Sequence, residues 1–204
     1  MRPTAGLGLS IIVLLWVELA AILAQVAASI YEQRVVDDFL NSARWERPAP
    51  NSIDRADILV NVTVVFTLLI GLATVILLAL WSNRVSHNAQ NRGVPGLRPG
   101  LAAGGWFIPF AGAVIPFIQL RRAAKPFLGT TTSLTAWQVL IVSAALVSRL
   151  GGRAIEHAAS ASILSDALAQ RVYFLSVAAV LFAVATMFAM RAIKEIDRRV
   201  SATA

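Results

Sequence analysis

The chain of 204 residues has no cysteine and only two histidines, His87 and His157. Without cysteine there can be no disulfide, zinc–thiolate site, iron–sulfur cluster or thiol nucleophile, and the redox compartment is left open. Charge is also scarce. Asp, Glu, Lys and Arg make up 14% of the chain, against about 25% in ordinary soluble domains. Not one Asp or Glu falls between Asp57 and Glu156, so the centre of the chain offers no carboxylate to a cation. H-E-x-x-H, P-loop and dinucleotide-fingerprint motifs are missing. His157, Ser160, Ser162 and Asp166 share one segment, but a triad needs a base oriented by a third group beside an oxyanion site. A capped amphipathic helix accounts for those four residues. No catalytic, cofactor-binding or metal-ligating residue is assigned, no cofactor is expected, and an enzyme is not expected.

Apolar sequence is what the chain has in abundance. Hydrophobic residues make up 57% of it, and the mean hydropathy is +0.70. Four spans approach the ~20 residues that cross a hydrocarbon core: about 7–30, 57–81, 134–150 and 172–190. The expected fold is an all-α integral membrane protein, one polytopic domain over 1–204. A net charge of +7 would suggest nucleic acid in a soluble protein. Here the basic residues flank membrane segments, so the expected partners are the lipid bilayer and anionic phospholipid, and not nucleic acid. The first apolar run follows Arg2 like a signal peptide. It is longer than the 7–15 residues of an h-region and contains Glu18, so a retained helix is expected.

Between the second and third spans lies an apolar segment, 101–120, broken by Pro109, Gly112 and Pro116. Arg92 and Arg98 precede it, and Arg121 and Arg122 follow it. Positive charge on both flanks favours keeping both on the cytoplasmic side, which predicts a re-entrant segment sheltered by a helical bundle. Counting Lys and Arg supports this. With 101–120 re-entrant and the amino terminus inside, 11 of the 18 lie inside and 7 outside. A full crossing reverses the count unless the whole chain is inverted. Trp81 and Trp137 then fall at the inner boundary, Tyr31 and Tyr173 at the outer one, as interfacial belts require. Both termini are expected in the cytoplasm, across a bacterial inner membrane. In the outer connectors, Val35, Val36, Phe39, Leu40 and Ala43 predict a helical extension of the first span, stopped by Pro48 and Pro50. Gly151-Gly152 is expected to break the third.

Trp81, Arg84, Asn88, Gly93, Pro99-Gly100, Trp106-Phe107-Ile108-Pro109, Pro116 and Arg121 follow one another in a distinctive order over about 45 residues. This pattern resembles an actinobacterial family of small multi-helix membrane proteins known only as a domain of unknown function. The chain departs from the family pattern in having Gly105 before Trp106, where paired Trp is common, and Gly112, where Asn is usual. The resemblance implies the architecture and no activity.

Glu18 is the chemical oddity. An ionised carboxylate in mid-span costs at least ~2.5 kcal/mol, so a buried partner or a raised pKa is expected. Gln25 and Ser29 project within about 20° of it at 100° per residue. Either the three form a proton- or cation-handling stripe, or Glu18 hydrogen-bonds Thr63, Thr67 or Gln138 as packing glue. After the broken segment come Arg121, Arg122 and Lys125; in the last helix Arg191, Lys194 and Arg198 recur. These are candidate contacts for anionic lipid or an acidic partner, and serve equally as orienting charges with snorkelling stems. Ala144 and Ser148, and Ala179 and Ala183, have the small-x-x-x-small spacing of close helix packing. The expectation is therefore a non-enzymatic accessory or scaffold subunit that packs with its own copies or another membrane protein. The alternative is a small transporter or channel using Glu18 and the broken segment.

Overall fold

A computed structural model describes residues 3–42, 51–108, 112, 114–156 and 161–202. Among these every regular element is helical. α1 runs Ala5–Asn41, α2 Asn51–Asn91, α3 Pro99–Gly104, α4 Ile115–Leu128, α5 Thr132–Glu156 and α6 Ala161–Ser201, with a 3-10 turn at Gly105–Phe107 after α3. Four helical stretches among the described residues are long and apolar enough to cross a membrane: Ala5–Asn41, Asn51–Asn91, Thr132–Arg153 and Ile163–Ser201. They contain the four spans expected from sequence. Among its described residues, segment 101–120 holds short helical pieces, the longest being part of the 14-residue α4.

The apolar faces are turned outward. Leu68 is 66% and Leu69 61% exposed on α2, and Val180 65% on α6. Water would penalise such faces at roughly 25 cal/mol per Å²; hydrocarbon does not. Backbone polar groups in hydrocarbon must be satisfied within the chain, which helices do. The chain is built as a multi-pass membrane protein.

The extension of the first helix is present: α1 continues to Asn41, with Val35 and Val36 buried. Gly151-Gly152, in contrast, breaks nothing. α5 passes through both to Glu156. A Cβ on Gly151 would stand 3.2 Å from the Arg171 Cα and from the Phe174 Cβ. This glycine permits a close approach of α5 to α6, and that packing offsets the ~1 kcal/mol that glycine costs inside a helix. Ala43, Pro48, Pro50, Pro109, His157, Ala158, Ala159 and Ser160 lie outside the described residues.

The chain divides into two compact units. The first comprises 1–17, 70–142 and 183–204; the second comprises 18–69 and 143–182. In the first, large side chains such as Trp81, Trp137, Phe127 and Leu120 are fully buried. In the second, alanines 21, 28, 56, 167, 178 and 179 are buried, and small side chains let helix backbones approach closely. By sequence the first unit holds eleven Lys/Arg against two Asp/Glu, a net +9. The second holds seven against nine, a net −2, and the two add to the +7 of the chain.

Candidate functional site

In the second unit, the expected stripe on α1 lies half-buried at Glu18 and Gln25 and fully buried at Ser29, whose Oγ has no hydrogen-bond partner among the described residues. The stripe runs further than expected. Glu32 lies seven residues beyond Gln25, as Gln25 lies seven beyond Glu18, so all three share a face. Glu32 pairs with Arg171 of α6, at 13% and 15% side-chain exposure. Five residues along α1, Asp37 accepts a 2.6 Å hydrogen bond from Ser165 Oγ. Sequence reading missed this α1–α6 junction, although the repeat at 18, 25 and 32 was its signal. Of the three partners suggested for Glu18, Thr63 and Thr67 donate to the Val60 and Thr63 carbonyls of their own helix.

The first unit contains the other expected residues. Trp106 Nε1 donates to Ser82 Oγ at 3.4 Å, and its ring meets Phe117 edge-on at a centroid distance of 5.1 Å. Phe117 in turn meets Trp137 at 5.1 Å. These rings join the broken segment to α4 and α5. Pro116 is buried in the first turn of α4, where its missing N–H is harmless. Gly112 is half-buried, and a Cβ there would stand 3.1 Å from the Trp106 carbonyl oxygen. The close approach to Trp106 thus favours glycine at 112.

Trp81, Arg84, Gly93 and Arg121 of the pattern also have local tasks. The Trp81 indole, fully buried, donates to Asp197 Oδ1 at 3.0 Å. Arg84 donates to the Pro3 carbonyl at 2.8 Å, and Asn83 beside it to the Pro99 carbonyl at 3.2 Å. Gly93, at φ 82°, makes the turn after α2, a conformation L side chains rarely adopt. Arg121 donates to Thr135 Oγ1 at 3.4 Å. Arg122, Lys125, Arg191 and Lys194 are exposed. Arg198 instead pairs with Glu195, which also accepts from Arg199. Arg198 is therefore partly neutralised, although its side chain is 72% exposed.

A model of the family described as a domain of unknown function, DUF4328, matches residues 44–198, 155 of the 204. The chain belongs to the DUF4328 family. No curated protein and no solved structure matches it. The DUF4328 match includes Trp81, Asp197, the Trp106–Phe117–Trp137 cluster and Arg171. It leaves out the stretch of α1 carrying Glu18, Gln25, Ser29 and Glu32.

Two predictions follow from this geometry. Asp197 lies beyond the apolar span 172–190. Burial raises its pKa above the ordinary 3.8, opposed by the Trp81 hydrogen bond. A raised folded-state pKa adds stability that is complete below 3.8 and is lost as pH rises through the folded value. Asp197→Asn, which keeps an acceptor for Trp81, should therefore match or exceed the native chain in thermal stability at pH 7 and lose that advantage on acidification. Trp81→Phe, which strands the acceptor, should cost about 1–3 kcal/mol. The second prediction concerns Arg171. Arg171→Ala leaves Glu32 unpaired and should cost about 3 kcal/mol, whereas Arg171→Met with Glu32→Leu should restore most of the loss. A double-mutant cycle on detergent-solubilised protein checks it; equal stability of the single and double variants would contradict it.

Proposed function

We propose that the chain is a non-enzymatic scaffold or accessory subunit of a bacterial inner membrane, packing with its own copies or with another membrane protein. The observation that carries this reading is the use made of the signature residues. Trp81, Arg84, Trp106, Pro116 and Arg121 all hold helices and connections to one another. The pattern of the chain thus reads as a recipe for a rigid shape, and the resemblance to actinobacterial relatives is read the same way. The broken segment 101–120 is taken as re-entrant, plugged by the Trp106 cluster. With four crossings both termini share one side, and the positive-inside rule makes it cytoplasmic. Exposed Arg122, Lys125, Arg191 and Lys194 suit anionic phospholipid there.

The transporter or channel reading draws on one observation, the polar stripe Glu18–Gln25–Ser29–Glu32 on α1.

Purification in mild detergent at native expression, followed by identification of associated chains, should recover a homo-oligomer or a defined membrane partner. A monomer that carries protons or solute across liposomes, with flux lost in Glu18→Gln, would replace the scaffold reading with the transporter. For topology, single cysteines at Gln90 and Thr130, both exposed, should react with a membrane-impermeant maleimide from the same, cytoplasmic side. Labelling from opposite sides would end the re-entrant reading.

A further inference from the structure

An open groove of about 420 Å³ runs along α2 beneath α3 and the 3-10 turn. Ile76 and Leu80 form its apolar wall with Phe107 opposite; Asn83 and Arg84 form its polar end. The volume is within the ~300–1,000 Å³ range of ligand sites. Its polarity is ordered along the helix. From Ile76 to Arg84 the rise is about 12 Å, most of one leaflet's hydrocarbon, since the whole core is about 30 Å. The apolar part lies within the span 57–81 and the guanidinium just beyond it, where phosphates begin.

Charge narrows the occupant further. Arg84 uses one donor on the Pro3 carbonyl and has five in all; the others meet no acceptor among the described residues. The unit contains only two carboxylates by sequence. Glu195 is engaged by Arg198 and Arg199, and Asp197 by Trp81. None lines this groove. We infer that the groove is a binding site for one anionic phospholipid, with an acyl chain along Ile76, Leu80 and Phe107 and the phosphate on Arg84. Gly104 forms part of the lining, and a Cβ there would meet nothing within 4 Å, so the space beside it is left for the ligand. The inference rests on the membrane setting and is independent of the scaffold reading; a chain that co-purifies with no partner still binds the lipid.

The test titrates the full chain, purified in an uncharged detergent, with dioleoylphosphatidylglycerol and follows bound lipid by native mass spectrometry. One tight, saturable lipid is expected, with dioleoylphosphatidylcholine weaker and inorganic phosphate giving no binding or thermal shift. Arg84→Gln should weaken phosphatidylglycerol about five-fold, the factor that corresponds to ~1 kcal/mol per basic residue at an anionic surface. Gly104→Leu fills the groove from a position with room for the side chain, so it should displace the lipid while keeping thermal stability, even if Arg84→Gln folds poorly. Equal binding of both lipids, a response to phosphate alone, or undiminished binding in Gly104→Leu would each overturn the site.

Discussion

The hydrogen bond from Trp81 to Asp197 fixes where α2 and α6 meet, and the first unit is arranged around it. Both groups are buried, so neither can exchange its partner for water without opening the helix pair. An indole has a single donor, which makes the match of one N–H to one carboxylate oxygen specific in register as well as in partner. The bond also dictates α1. A Cβ on Gly8 would overlap the Asp197 carboxylate and press on Ile193. Glycine at position 8 is thus a consequence of the acid on α6, and α1 approaches α6 there only because both conditions hold. Thr4, one turn earlier, is also buried.

The second unit follows another rule. Its buried residues are mostly small, and two polar contacts among the described residues join α1 to α6: Glu32 with Arg171, and Asp37 with Ser165. Van der Waals packing of alanine faces is tight but tolerant of sliding, because an alanine row repeats. A partly buried ion pair is a poor source of net stability but resists misalignment, since removing either partner leaves a charge with nothing to answer it. Gly151 against Arg171 adds a steric stop from α5 at the same residue. One arginine is thereby positioned by two helices, which explains why it stands at the edge of an otherwise apolar span.

Much of the architecture was legible in the sequence because membrane helices announce themselves by length and hydropathy alone. The four spans and the extension of α1 needed no knowledge of packing. Gly151-Gly152 misled because glycine carries two meanings, helix breaker and packing notch, and only the neighbouring helix decides between them. The polar site was half legible. Its stripe was visible at Glu18, Gln25 and Ser29, but Glu32, which pairs with Arg171, lay past the apolar run and read as an ordinary boundary charge. Asp197 read likewise as one more acid in a charged tail. What hides such residues is that the sequence records charge but not burial, and residues far away in the chain bury Asp197 and partly bury Glu32.

The distribution of charge gives these local facts a common sense. The first unit carries eleven basic residues and two acids by sequence, and both acids are taken up within it, one by an indole and one by two arginines. The acids therefore cancel little of the field felt outside. Arg92 lies over the Phe127 ring at 4.4 Å, a cation–π contact that itself brings no opposite charge. Arg84 and Arg121 are likewise held by neutral oxygens. Positioning cations through carbonyls, hydroxyls and rings leaves their charge intact, whereas carboxylate partners would have quenched it. A unit built that way keeps most of its positive charge however firmly its cations are held.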